Sequence, residues 1–437
     1  MNTSTDTSRP STHTPGNAAA SATARPRALL ADANVRWLVA GGAVTLVGDQ
    51  LTLIALPWLA LQLSSDPLVL GTVLAVIGVP RALFILIGGA FVDRHTPKNV
   101  LMVTKFASAA LLAVLAVAVA AGMLTLPLLY LLALGLGLAS AFAIPASSSI
   151  LPQVVPPSQL AAINALFMSV RQASAFVGPL LAGLLIVVGG SGMSWGLAVA
   201  FGLDAFSFLF SAWTLAHVAT RTLPQPPRQA VLAAVAEGLR TFWADRELRT
   251  LLGYGAAVGL MIAGPLQTAL PVLAHSVPTL GAGALGTMAG AHGAGLLVGL
   301  AIAGWRPHWR LRSLGVTILA IDAAVGLLLL PMGSVTAAWQ GAALLMCIGV
   351  LGGYMQVIVF TWLQRRVAPP MMGRAMSVFM FVFVGLAPLS AAATGALLRG
   401  VPLTAVFAGA GGLLIAIVAF ALLGSRMRRL ADVEPGR

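Results

Sequence analysis

A chain of 437 residues with 59% hydrophobic and only 8% charged side chains, and a mean hydropathy of +0.95, cannot be a string of soluble domains, in which apolar residues make up roughly 45–50%. The net charge of +13 is spread in short arginine clusters between apolar runs, not in one stripe, which excludes a nucleic-acid surface and marks loop topology instead. The single cysteine, Cys347, lies inside an apolar run and supports neither a disulfide nor a thiolate metal site.

Residues 1–35 are rich in Ser, Thr, Ala and Pro, lack the compact apolar region of a signal peptide, and are expected to form a disordered cytoplasmic tail. Apolar windows bounded by Gly, Pro and charge predict helices over 36–62, 68–91, 99–121, 125–149, 159–187 and 194–218. A polar, Pro-rich stretch over 219–249 reads as a cytoplasmic linker. Further helices are predicted over 250–274, 281–304, 312–331, 336–362, 374–397 and 401–424, before a cytoplasmic tail over 425–437. Runs of this length suit helices crossing a bilayer, since barrel strands need only ~9–11 residues. The expected architecture is an all-α membrane protein of twelve transmembrane helices in two six-helix bundles, 36–218 and 250–424.

With the N-terminus in the cytoplasm, the clusters Arg94/Lys98, Arg221 to Arg249, Arg306/Arg310/Arg312, Arg365/Arg366/Arg374 and Arg426/Arg428/Arg429 share one side, and the other side keeps only Arg399. The positive-inside rule then puts both termini in the cytoplasm of a cell whose inner membrane the chain crosses. The halves also echo each other. VVPPSQLAAINALFMSV leads into GPLLAGLL, and RVAPPMMGRAMSVFM leads into ATGALL about 212 residues later, close to the offset of about 214 between helices 1 and 7.

The loop GGAFVDRHTPKNV, 88–100, carries Gly89, Asp93, Arg94 and Lys98. Gly88 and Gly89 permit close approach of another helix, and Asp93 suits the positive end of a helix dipole. The pattern resembles the G-x-x-x-D-R-x-G-[RK]-[RK] loop of the major facilitator superfamily, with Thr96 and Pro97 replacing its usual glycine and basic residue. That resemblance implies two pseudo-symmetric bundles and a latch in which Asp93 meets the start of helix 11, near Gly373, Arg374 and Ser377, while the cytoplasmic side is closed. In helix 5, SAFVGPLLAG with Gly178, Pro179 and Gly183 is similar to the superfamily's G-P-x-x-G-G antiporter element, with Ala182 in place of one glycine. The NALF element at Asn164 and RRVAPPMMGRAMS resemble the macrolide-efflux and enterobactin-exporter branch.

Charged side chains also fall at mid-membrane depth. Asp49 lies about 13 residues into helix 1 and Arg81 about 12 before Asp93, each ~18–20 Å from the cytoplasmic end. Arg171 is about 12 residues into helix 5 and Asp204 about 10 into helix 6. Unpaired at the centre of a ~30 Å layer, each would cost roughly 2.5–3.5 kcal/mol. They are therefore expected to face water or to pair, Asp49 with Arg81 or Arg171 and Asp204 with the remaining arginine. Protonating one acid would free an arginine and supply proton coupling, with Asp49 as the main site; the alternative is a quartet that only fixes helix packing. Asp322 in helix 9 and His292 in helix 8 stay open between a functional and a packing role.

In the fold that the resemblance implies, helices 1, 4, 7 and 10 surround the substrate path. Candidate lining residues are Thr45 and Thr52, which share helical spacing with Asp49, then Tyr254 and Gln267, and Gln340, Tyr354 and Gln356. Such a lining, apolar and aromatic with a few neutral polar groups, suits a bulky amphipathic molecule. No GxxxxGK[ST], GxSxG or HExxH motif occurs, so an enzyme or an ATP-driven pump is not expected. The resulting expectation is a monomeric, cofactor-free, proton-coupled exporter of small hydrophobic or amphipathic molecules. The alternatives are an uptake permease or flippase for a metabolite or lipid, and a non-transporting receptor of the same fold.

Overall fold

The computed structural model describes residues 29–189, 194–221, 240, 243–306, 309–367, 371–424 and 426–430; the side chains of 85–90, 93, 94, 194, 373–375, 377, 380, 384, 426 and 429 lie outside the description. The first half comprises α1 (Ala33–Leu63), α2 (Pro67–Arg94), α3 (Pro97–Ala120), α4 (Leu126–Val154), α5 (Leu160–Val188) and α6 (Ser194–Ala216). The second comprises α7 (Arg246–Ser276), α8 (Ala282–Trp305), α9 (Leu314–Leu329), α10 (Ala338–Arg366), α11 (Met372–Leu397) and α12 (Leu403–Gly424). Eleven of the described helices are long and apolar enough to cross a bilayer, and α11 adds an apolar stretch over Phe381–Leu397.

Local chemistry sets the helix ends. Asp32, Asp66 and Asp245 cap α1, α2 and α7 by accepting backbone amides one turn ahead, and Ser313 does the same for α9. Proline follows the cap of α2 and α3, where its missing amide costs nothing. Several helices outrun the apolar windows: α4 continues to Val154, α10 to Arg366, and α7 begins at Arg246. Polar terminal turns extend past the hydrocarbon, so a reading keyed to hydropathy stops short of them. The start of α7 therefore takes up the last residues of the expected 219–249 linker, most of which lies outside the described residues. Arg366 at the end of α10 ties down that start, with Nε 2.9 Å from Asp245 Oδ2 and Nη1 3.2 Å from Glu247 Oε2. At the other terminus, Leu29 is buried beside Val35, so the end of the expected 1–35 tail packs on the bundle.

Corresponding helices pack alike in both halves. In the first, α1 lies on α5 and α6, α3 on α4 and α6, and α2 on α4; in the second, α7 lies on α11, α9 on α12, and α8 on α10. Two seams join the halves, α5 on α8 and α2 on α11. Both depend on backbones approaching without intervening side chains, the means by which helices associate in lipid. A Cβ on Gly183 would sit 3.0 Å from the Cα of Gly286, and one on Gly71 would sit 3.1 Å from the Cα of Ala392.

The α5/α8 seam runs from Val187 beside Gly283 to Ala175 beside Gly293, which is the part of α5 remote from the chain termini. Beyond it, toward the face where the α2–α3 loop and the arginine clusters lie, Arg171 is exposed and Met168 is 58% exposed. At the opposite face the closure continues. The Trp58 indole of α1 meets the His275 ring of α7 edge-on at 5.3 Å, and Arg399 after α11 forks onto Asp66 before α2, with Nη2···Oδ2 2.7 Å and Nε···Oδ1 3.2 Å. Among the described residues, the halves are thus joined at the opposite face and along α2/α11 as far as Ala82 beside Gly385, while α5 carries exposed side chains beyond Ala175.

A valine at position 286 would drive side-chain atoms into the Pro179 carbonyl and Gly183. Gly286→Val is expected to cost about 1–3 kcal/mol by overpacking, read as a lowered thermal unfolding midpoint of the detergent-purified protein. An unchanged midpoint would contradict the seam geometry.

Candidate functional site

In the first half, α1 presents Thr45, Gly48 and Thr52 to α6 on one helical face. Asp204 of α6, 1% exposed, accepts a 2.5 Å hydrogen bond from Thr52 Oγ1 and a 3.0 Å bond from Ser207 Oγ. Gly48 makes this possible, because a Cβ there would collide with Asp204 Oδ1 and Ser207 Oγ. Adjacent to Gly48, Asp49 turns off this face and is exposed. Lys105 of α3 and Arg171 of α5 both act electrostatically on it. Lys105 is anchored by donating to Ser211 Oγ of α6 at 2.6 Å, with its Nζ 6.0 Å from the Phe208 ring centre. The result is one polar cluster spanning α1, α3, α5 and α6: a walled-in carboxylate held by hydroxyls, and a second carboxylate within electrostatic range of two cations.

This differs from the expected pairing. Asp204 meets hydroxyls, not an arginine, because the small residues of α1 and the serines of α6 bring those helices too close for a guanidinium. Arg81 has no carboxylate partner among the described residues, and its buried Nε has no hydrogen-bond partner. Lys105, which sequence reasoning passed over, joins Arg171 as the cation near Asp49. A lone lysine inside the apolar run 99–121 was the available signal.

The expected lining residues divide. Thr45 is buried and bonded to the Gly41 carbonyl of its own helix at 3.0 Å, and Thr52, bonded to Asp204, belongs to the α1/α6 contact. Tyr254 donates to Asp322 Oδ2 at 2.6 Å, and both are buried inside the second half. Gln340 accepts from the amides of Thr336 and Ala337 at 3.0 and 3.2 Å, so it caps α10. Tyr354 donates to the Trp309 carbonyl. Only Gln267 and Gln356 are exposed. His292 Nδ1 lies 3.3 Å from the Leu345 carbonyl, between α8 and α10.

In the expected loop latch, the side chains of Asp93, Arg94 and Arg374 lie outside the described residues, as does the surroundings of Gly89. Lys98 is described and serves its own half: its Nζ donates to the Ala216 and Val218 carbonyls at 3.1 and 2.7 Å, capping the negative end of α6. The helix-5 element is a packing device. Gly178 lets Gln50 of α1 lie against α5, while Pro179 and Gly183 receive Gly286 of α8, and α5 is continuous through all three.

A membrane bundle of two matched six-helix halves, joined through α2/α11 and α5/α8, defines a class of transporter. Residues 38–392 match the Major Facilitator Superfamily, and the chain belongs to it. It is a multi-pass membrane transporter, not an enzyme. Over 412 residues it is 28% identical to the multidrug efflux pump Tap of Mycobacterium tuberculosis (strain ATCC 25618 / H37Rv), covering 89% of this chain and 91% of Tap. It is 27% identical to the uncharacterized MFS-type transporter y4rN of Sinorhizobium fredii (strain NBRC 101917 / NGR234), covering 86% of this chain and 90% of the relative. Among solved structures, the fold is similar to the nucleoside transporter NupG, with a TM-score of 0.66 at 13% identity over 89% of this chain and 98% of that one. It is also similar to a bacterial homologue of the iron transporter ferroportin in an inward-facing state, with a TM-score of 0.65 at 17% identity over 88% and 97% of the two chains.

The Asp66–Arg399 contact yields a pH prediction. Hydrogen bonds from Arg399 and from the Leu68 amide hold the Asp66 carboxyl below its ordinary pKa while this face is closed. The contact's contribution to closure is therefore complete above about 3.9, the ordinary carboxylate value, and is lost as pH falls through the lowered one. In a Cys347→Ser background, an Ala391→Cys reporter, buried at the α2/α11 seam, should react faster with a water-soluble maleimide when Arg399→Gln is added. Equal rates with and without Arg399 would show that the ion pair does not bias closure.

Proposed function

We propose that this transporter is a proton-coupled exporter of hydrophobic or amphipathic small molecules, working by alternating access across the inner membrane with both termini in the cytoplasm. The observation that carries the reading is the contrast between two neighbouring carboxylates: Asp204 sealed among hydroxyls, and Asp49 exposed beside Arg171 where the α5/α8 seam ends. In this reading the entry path opens on the basic face, and protonation of Asp49 removes the charge that Lys105 and Arg171 face, which changes how α1, α3 and α5 hold together. Asp204 fixes the α1/α6 contact and does not carry the proton.

The direction and substrate class draw support from the 28% identity to Tap, a multidrug efflux pump, and the cytoplasmic placement of both termini from the positive-inside distribution of arginines. Of the expected lining residues only Gln267 and Gln356 are exposed, which also favours an amphipathic cargo over a sugar or phosphate.

The test uses inverted membrane vesicles with an imposed proton gradient and a panel of lipophilic compounds. Gradient-dependent uptake into such vesicles corresponds to export from cells. Asp49→Asn should abolish accumulation against a gradient while leaving compound binding within a few-fold, whereas Asp204→Asn should mainly lower thermal stability. Accumulation by Asp49→Asn with unchanged proton dependence would remove Asp49 from the mechanism.

A further inference from the structure

The two halves are not equally filled. In the first, α1 and α6 close on each other, with Gly41 against Ser211 and Thr214 and Gly48 against Ser207 and Asp204. The corresponding pair in the second half, α7 and α12, leaves a cleft of about 510 Å³ walled by Gly253, Tyr254 and Ala257 of α7 and Leu413, Ala416 and Phe420 of α12. A Cβ added at Gly253 or at Gly412 would meet nothing within 4 Å. The cleft opens outward, since Leu413 is 57% and Phe420 74% exposed on the flank of an outer helix. Its wall is apolar, and the hydroxyl of Tyr254 points away to Asp322.

An apolar space of this kind holds no water, and left empty it forfeits dispersion contacts on every side. At its end toward the basic face, where Met427 lines it, the chemistry changes. Arg246 lies on the same helical stripe as Thr250, Gly253 and Ala257, and the Thr250 hydroxyl donates to its carbonyl at 2.7 Å. Arg246 is exposed and has no ion-pair partner among the described residues. The side chain of exposed Arg249 donates from Nη1 to the Trp243 carbonyl at 3.3 Å and has no ion-pair partner among the described residues, with Trp243 itself 60% exposed as membrane-interface tryptophans are. The nearby acids Asp245 and Glu247 both turn to Arg366, and the five side chains together keep a net positive charge.

We propose that the α7/α12 cleft binds an anionic phospholipid, with an acyl chain along the cleft and the headgroup phosphate on Arg246 and Arg249. The site is independent of the Asp49 cluster and of the transported compound.

Native mass spectrometry of the full-length protein, purified in detergent and offered phosphatidylglycerol and phosphatidylcholine in equal amounts, tests it. The wild type should retain phosphatidylglycerol in preference. Arg246→Gln and Arg249→Gln should each lower that retention about five-fold. Gly253→Leu, whose side chain enters open space, and Ala416→Leu, which fills the cleft from α12, should lower retention of both lipids. Equal retention of the two lipids, or loss on removing the arginines with none on filling the cleft, would overturn the proposal. So would unchanged lipid retention in Gly253→Leu together with lost transport in vesicles, which would make the cleft a lateral entry for the transported compound.

Discussion

Burying Asp204 imposes the condition on which the first half is organised. A carboxylate inside a membrane bundle is tolerable only if protein groups replace the water it has lost. Here the replacement is two hydroxyls, Thr52 and Ser207, delivered from helices that touch because position 48 is glycine. That contact fixes the rotation of α1, and the rotation in turn decides that Asp49, one residue on, leaves the packed face and becomes exposed. Ser211, a turn beyond Ser207 on α6, holds Lys105 within electrostatic range of Asp49. One buried acid thereby positions the accessible one and its cation.

The way the halves meet complements this arrangement. Within lipid, apolar side chains gain little by leaving hydrocarbon, so association depends on close backbone packing. The glycines that allow it, Gly71 and Gly395 on one seam and Gly183 and Gly286 on the other, lie toward the opposite face, where Trp58 and His275 and the ion pair of Asp66 with Arg399 add to the closure. Toward the basic face, no equivalent glycine-mediated approach continues along α5 among the described residues, and the exposed side chains there, Met168 and Arg171, belong to the same helix that is sealed one turn above. A seam closed at one face, in a molecule of two matched lobes, is compatible with rocking about a central site.

Much of the helical layout was legible because bilayer thickness dictates the length of apolar runs, and the arginine clusters and loop motifs pointed to the superfamily. Contacts were less legible. Thr45, Asp49 and Thr52 share a helical spacing, but spacing does not say which neighbour a face meets: Thr52 bonds Asp204 of α6, Thr45 bonds back to its own helix, and Asp49 is exposed. Gln340 carried a local signal that was missed: it sits three residues after Ala337, where a glutamine side chain reaches back to the free amides of a helix start. Lys105 sits close enough to the start of α3 to pass for another basic loop marker. The pairing of Asp66 with Arg399, 333 positions apart, had no local trace at all.

The central claim is that Asp49 exchanges a proton in step with the transported compound. Its most direct measurement is proton release from detergent-purified protein in weakly buffered solution, followed with a pH-sensitive dye as a transported lipophilic compound is added. Wild type should release protons on binding, and Asp49→Asn should bind the compound and release none. Equal release by the two proteins would contradict the account.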